Sequence, residues 1–308
     1  MDYLFLVVAL TLIVVGAMLL TDGSVALARR MHIPEFIVGL TVVAVGTSMP
    51  EMAVSMISAV EGYGDMAIGN VVGSNIANTL LILGVCAIFS PILFTKSNIR
   101  RDVPMNLGVS LVLLLVASTS AAINRIEGVL LLVAYIIMIL YSIRNDRKAM
   151  ANSEDDGANE MSGLRIVVWI VVGLAGLIYG GDLFVNSATN IAKAWGVSEA
   201  VIAISLVAVG TSLPELAASL ASIFKGSPSI ALGNIIGSNI ANILLILGAC
   251  STVTPLVMKG ITMTDIYVVV ATAVMLLLSA LFIGDKRITR IEGLLFVVVY
   301  IAYIYTLI

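Results

Sequence analysis

The sequence predicts an all-α polytopic membrane protein, with ten transmembrane helices arranged as two inverted five-helix repeats. Three observations carry that prediction: the composition, the number of apolar runs, and a pair of motifs that occurs twice. The 308 residues are 60% apolar and 11% charged, whereas a soluble domain is about 45–50% apolar and about 25% charged. Sixteen Lys and Arg with nineteen Asp and Glu cannot cover a water-facing surface on a chain this long. The surplus apolar surface faces lipid.

Each crossing takes about 20 mostly apolar residues, and the chain offers ten such runs. The first, 3–21, opens the chain; MDYLFLVVALTLIVVGAMLL has neither the basic start nor the small-residue cleavage site of a signal peptide and reads as a retained span. A polar connection holding the single histidine, His32, leads to 37–59. Short connections then separate 66–90, 103–122 and 127–143. The segment 144–163, RNDRKAMANSEDDGANEMSG, is the one long polar stretch and falls at mid-chain. Beyond it come 164–182, 200–224, 229–251, 264–283 and 291–307. The result is a single transmembrane domain, 1–308, built of a first repeat 1–143, a linker 144–163 and a second repeat 164–308.

Basic residues set the orientation. Thirteen fall on one side: Arg29, Arg30, Lys96, Arg100, Arg101, Arg144, Arg147, Lys148, Arg165, Lys225, Lys286, Arg287 and Arg290. Only Arg125, Lys193 and Lys259 fall on the other. This bias places the 144–163 loop in the cytoplasm and both termini outside, in a cell membrane.

Self-comparison supplies the third observation. VAVGTSMPE at 43–51 recurs as VAVGTSLPE at 207–215, and GNVVGSNIAN at 69–78 recurs as GNIIGSNIAN at 233–242, both shifted by 164. Across those 19 paired positions 16 are identical, and beyond them only RIEG at 125–128 and 290–293 repeats clearly. Five spans per copy is an odd number, so the second copy enters from the opposite face. Inverted repeats of this kind are common in secondary transporters, with the site at the midplane where the halves meet.

The repeated residues are chemically specific. Glu51 and Glu215 lie deep in apolar spans, where a carboxylate is costly and by default faces a functional cavity. Pro50 and Pro214 precede them and lack an N–H, so the carbonyls of Gly46 and Gly210 are expected to lose their helical donors. Thr47, Ser48, Thr211 and Ser212 bring hydroxyls to the same place. Ser74 with Asn78, and Ser238 with Asn242, are spaced by four and so share a helix face. Asn70, Asn75, Asn234 and Asn239 are further amide candidates, while Gly69, Gly73, Gly233 and Gly237 form GxxxG patterns assigned to packing. The inventory is all hard oxygen, which suits calcium and, by size, sodium, and disfavours zinc or copper. Two carboxylates balance one divalent or two monovalent ions.

Several classes are excluded. No basic cluster marks a nucleic-acid surface, and two cysteines make neither a disulfide framework nor a zinc site. Cys86 and Cys250 are 164 apart and, by inversion, near opposite faces. With His32 outside the apolar spans, a Ser–His dyad has no base there, so the chain is not read as an enzyme. Asp22 and Asp182 read as solvent-facing or capping residues at the ends of spans 1 and 6, and Glu154, Asp155 and Asp156 as a solvated acidic run.

GTSMPE with GNVVGSNIAN, and GTSLPE with GNIIGSNIAN, resemble the two alpha-repeats of the calcium/cation antiporter superfamily, within it the sodium/calcium exchanger family and its prokaryotic members. The resemblance implies a core of spans 2, 3, 7 and 8, with sodium and calcium exchanged there by alternating access as spans 1 and 6 slide. Carried over by position, it implies ligands at the Ala44 carbonyl, Thr47, Ser48, Glu51, Ser74 and Asn78, and at the Ala208 carbonyl, Thr211, Ser212, Glu215, Ser238 and Asn242. Ala44 and Ala208 rest on the resemblance alone. Exchange of three sodium ions per calcium is also only implied by it. Several relatives have an aspartate where Asn242 stands, which bears on stoichiometry and potassium dependence. Cation/proton relatives place an acidic residue inside the second motif, where this chain has Val-Val-Gly and Ile-Ile-Gly. The expected partners are calcium, sodium and membrane lipid, with no cofactor, nucleic acid or obligatory protein partner. The alternatives are a proton- or potassium-coupled calcium or divalent-cation antiporter and, from another class, a calcium-permeable channel.

Overall fold

The computed structural model describes residues 1–119, 122–150, 161–195, 208–258, 262–282 and 286–307. In order, the helices are α1 Asp2–Met31, α2 Glu35–Thr47, α3 Met49–Val60, α4 Gly64–Phe89, α5 Asn98–Ser118, α6 Arg125–Met150, α7 Gly163–Ala194, α8 Ala208–Thr211, α9 Leu213–Phe224, α10 Pro228–Val253, α11 Met263–Phe282 and α12 Arg290–Leu307. Four two-residue strands join them: β1 Ile92–Leu93, β2 Ala122–Ile123, β3 Leu256–Val257 and β4 Arg287–Ile288. Among the described residues, seven helices are long and apolar enough to cross a membrane, or eight if α2 and α3, bent by 46° at Ser48, form one span. The chain is a multi-pass, helical membrane protein.

The duplication is written into the backbone. Helices α3 and α9 start 164 residues apart (213 − 49), as do α4 and α10 (228 − 64). Each of α4 and α10 widens into a π-turn at the same place, Ala77–Ile82 and Ala241–Ile246. Strand β1 pairs antiparallel with β4, and β2 with β3, so each short sheet ties one half of the chain to the other.

α4 and α10 are the most deeply buried of the long helices, whereas α1, α6 and α7 show large apolar side chains such as Val7, Ile137 and Val171 outward. That outward apolar surface suits lipid. α1 and α7 pack backbone to backbone through small residues: a Cβ added at Gly16 would lie 2.8 Å from the Gly173 carbonyl. Without a hydrophobic drive between helices in lipid, such close van der Waals packing is what holds them.

Helix ends depart from the apolar runs. α1 continues to Met31 and α7 to Ala194, ten and twelve residues past the expected 21 and 182. α6 continues to Met150, seven residues into the expected linker. An apolar run measures the lipid-facing stretch, and backbone hydrogen bonding carries a helix on into polar sequence. Asp22 therefore lies inside α1, paired with Lys225, and is not an end cap. Asp182, inside α7, accepts from Asn186 at 3.1 Å. Residues 200–207 of the seventh run, most of the linker with Glu154, Asp155 and Asp156, and Lys259 lie outside the described residues.

The repeated RIEG is a helix start. Asn124 accepts the Ile126 and Glu127 N–H groups at 2.9 and 3.0 Å, and Glu127 accepts the Asn124 N–H at 2.8 Å. Thr289 and Glu292 repeat this reciprocal capping, the Glu292 carboxylate accepting the Thr289 N–H at 2.9 Å and the Thr289 hydroxyl accepting the Glu292 N–H at 3.3 Å.

Candidate functional site

The two glutamates stand in the first turns of α3 and α9. Each follows a break: Ser48 (φ −82°, ψ 10°) separates α2 from α3, and Ser212 (φ −89°, ψ 2°) separates α8 from α9. Pro50 and Pro214 occupy the first turn, where a missing N–H costs no helical hydrogen bond. Pro50 has no N–H for the Gly46 carbonyl four residues back, in α2, so that carbonyl lacks its helical donor as expected, while the Ser48 N–H bonds the Ala44 carbonyl at 3.1 Å. The positive end of each helix macrodipole faces the carboxylate it carries.

Helix α7 presses on both breaks. A Cβ at Gly46 would meet the Leu174 side chain at 2.5 Å, and one at Gly210 the Val185 side chain at 2.1 Å. The other repeated glycines divide. At Gly233 and Gly237 a Cβ would meet the carbonyls of Phe36 and Leu40 at 2.3 and 2.5 Å, so these two do pack helices together. A Cβ at Gly73 would meet nothing within 4 Å, and packing does not explain that glycine.

Side chains from both halves converge. Ser48 Oγ lies 2.9 Å from Glu215 Oε1 and 3.1 Å from Ser238 Oγ. With a single proton it donates to the carboxylate and accepts from Ser238. Thr47 Oγ1 donates to Asn234 Oδ1 at 3.2 Å. Glu51 and Glu215 are both 1% exposed and act electrostatically on one another. Ser74, Asn78, Ser212 and Asn242 are buried, and Thr211 is half-buried. Ala208 contributes backbone to α8. The Ala44 carbonyl already accepts the Ser48 N–H at 3.1 Å and lies 3.5 Å from Thr47 Oγ1.

Four further residues brace the carboxylates. Asn70 Nδ2 donates to the Glu51 carbonyl at 3.2 Å and to Ser55 Oγ at 3.0 Å. Asn234 Nδ2 makes the same pair of bonds to the Glu215 carbonyl, at 3.4 Å, and to Ser219 Oγ, at 3.0 Å. Asn70 and Asn234 thus fasten α4 to α3 and α10 to α9, which gives them a positioning role. Ser55 and Ser219 were missed, although a serine four residues past each glutamate is readable in both copies. Symmetry also fails here: Asn239 Nδ2 donates to Thr79 Oγ1 at 2.9 Å, but the counterpart of Thr79 is Ile243, and the Asn75 amide has no hydrogen-bond partner.

Several buried polar atoms of the site are unmatched. Both Glu51 oxygens, Glu215 Oε2, Asn78 Oδ1 and both side-chain polar atoms of Asn242 are buried with no hydrogen-bond partner. Each unmatched buried polar group costs about 1–3 kcal/mol, and more if charged. Unmatched carboxylate and amide oxygens are hard ligands, of the type that suits a cation such as calcium or sodium.

A family model described as "Sodium/calcium exchanger protein" matches residues 1–144 and 165–308. A putative antiporter CaxA from Alkalimonas amylolytica is 38% identical over 99% of this chain and 98% of its own. The sodium/calcium exchanger MaX1 of Methanosarcina acetivorans is 31% identical over 99% of this chain and 98% of its own. Among solved structures, the sodium-calcium exchanger NCX_Mj, soaked with sodium and calcium, superposes with a TM-score of 0.87 at 32% identity, over 100% of this chain and 98% of that one.

Proposed function

The chain belongs to the sodium/calcium exchanger family, and from that premise we propose how its own residues carry out the exchange. It is a secondary active antiporter for sodium and calcium across a membrane. The proton- or potassium-coupled alternative is not favoured.

Ten spans form two inverted five-helix repeats, 1–143 and 164–308, joined by a cytoplasmic linker at 144–163, with both termini outside the cell membrane. The 164-residue offsets of α3 with α9 and α4 with α10 support this reading. The ion site lies between the halves and is lined by Thr47, Ser48, Glu51, Ser74 and Asn78 from one, and Thr211, Ser212, Glu215, Ser238 and Asn242 from the other, with the Ala44 and Ala208 carbonyls. The observation that carries it is the set of buried, partnerless oxygens centred on Glu51. Two carboxylates balance one calcium or two sodium ions. Calcium takes six to eight oxygens, so ions sharing these ligands cannot all be held together. Mutual exclusion at a site reachable from one face at a time couples the two fluxes.

Equilibrium binding tests this. Purified protein should bind calcium-45, release it as sodium is added, and lose at least a hundredfold in calcium affinity with Glu51→Gln. Binding that sodium does not displace, or that Glu51→Gln leaves intact, would place the ions elsewhere.

A further inference from the structure

Outside the ion site, polar contacts at two places join α1 to the helix that carries Glu215: Thr21 Oγ1 lies 3.3 Å from Ser222 Oγ, and Lys225 reaches α1 from the end of that helix. Lys225 caps the C-terminus of α9. Its Nζ donates to the Met18 carbonyl at 3.1 Å and pairs with Asp22 Oδ1, both on α1. Apart from Lys225, the cavity of about 510 Å³ along that seam is lined by apolar side chains, with Ile13 and Ala17 of α1 facing Leu216 and Leu220 of α9. Thr21 and Ser222 are neutral and each donates its proton to its own helix, at 2.8 Å to Ala17 and Ala218, so the charged tie across this loosely filled seam is Lys225 with Asp22.

The repeat shows what the tie would otherwise be. Shifting by 164 maps Lys225 to Glu61, Met18 to Asp182 and Asp22 to Asn186. At the mirrored position, therefore, a carboxylate replaces the ammonium and another stands where the Met18 backbone is engaged. Glu61, Asp182 and Asn186 are all exposed, and Asn186 is spent on Asp182 at 3.1 Å. The seams differ to match. Met49 and Ile57 of α3 are 49% and 58% exposed, whereas their counterparts Leu213 and Ala221 line the α1–α9 seam and are half-buried. One face is tied shut and the other is left uncovered, on chemistry that only one half possesses.

We propose that Lys225, bound to Asp22 and the Met18 carbonyl, is a latch that holds α1 against the Glu215 helix and must release before the site opens on that face. The proposal rests on the antiport reading, since only a site with alternating access needs such a face to open. Lys225 touches no ion; it is a positioning residue that sets how often one conformation is visited.

The experiment is thiol labelling of the reconstituted full chain carrying Ala217→Cys, a seam position whose thiol reacts only when water reaches it. Cys86 and Cys250 are buried and leave the background low. Lys225→Met and, separately, Asp22→Asn should each raise the labelling rate about two- to fivefold, the scale of one partly exposed ion pair. The charge exchange Asp22→Lys with Lys225→Asp should return it toward the parent rate, which general loosening would not do. Unchanged labelling in both single variants, or a charge exchange that labels as fast as they do, would overturn the latch. Labelling does not depend on flux, so failure of sodium-driven calcium uptake in the parent would count against antiport alone.

Discussion

Glu51 is buried in a membrane core without a single hydrogen-bond donor, while Glu215 has one from Ser48. Among the described residues no hydrogen bond reaches the first carboxylate, and the proposed site gives that role to the ion. Glu51→Gln should abolish sodium-driven calcium flux while leaving the chain folded, because the amide keeps the volume and removes only the charge; flux and thermal melting of the same sample check both halves of that statement. Ser48 donates to a carboxylate, and a hydrogen bond to a charged group is worth about 1.5–3 kcal/mol. Ser48→Ala should therefore weaken calcium binding by about ten- to a hundredfold in a calcium-45 titration, provided the hydroxyl also serves the ion. At this scale the sequence was legible where chemistry repeats: both glutamates, both hydroxyl pairs and both Ser/Asn pairs fall in buried or half-buried positions. It was not legible that Asn70 and Asn234 would face back onto the Glu-bearing helices, because a side chain's direction depends on where the neighbouring helix lies.

Helices α2 and α8 end where a serine leaves helical geometry, and α10 approaches α2 so closely that Gly237 has no room for a methyl group. Gly237→Ala would drive a Cβ to 2.5 Å from the Leu40 carbonyl and 2.7 Å from the Ala44 Cβ. The cost of such overpacking is roughly 1–3 kcal/mol, and it would displace the helix that carries Thr47 and Ser48. Gly73→Ala, its mirror, meets open space and should leave stability unchanged or improved. A detergent melting curve of the two variants separates them; equal melting temperatures would show that the two helices pack alike. The identical motifs concealed this difference, since GxxxG looks the same whether or not a neighbour fills its groove. Capping is legible in the same repeat. RIEG repeats because each copy, with Asn124 or Thr289 before it, starts a helix, and Glu292→Ala should cost about 1 kcal/mol of stability by removing one reciprocal cap.

At the scale of the whole molecule, matching helices recur at an offset of 164, and strands β1 and β4, and β2 and β3, tie the two halves of the chain together. The repeat was readable because polar identity at a fixed offset of 164 has no reason to survive in lipid except shared chemistry. The departures from symmetry were harder to read. Thr79 against Ile243, and Lys225 against Glu61, are single differences in otherwise weakly similar flanks, and their meaning appears only once the helices are placed. Span ends were least legible, as Met31, Met150 and Ala194 show, because a helix outruns the lipid. The account's central claim is that calcium and sodium compete for one enclosure centred on Glu51 and Glu215. Its most direct test is calcium-45 uptake into proteoliposomes at clamped potential, with and without an outward sodium gradient, for the parent chain and Glu51→Gln. The account predicts uptake only with the gradient and only in the parent; uptake indifferent to sodium, or undiminished in Glu51→Gln, would contradict it.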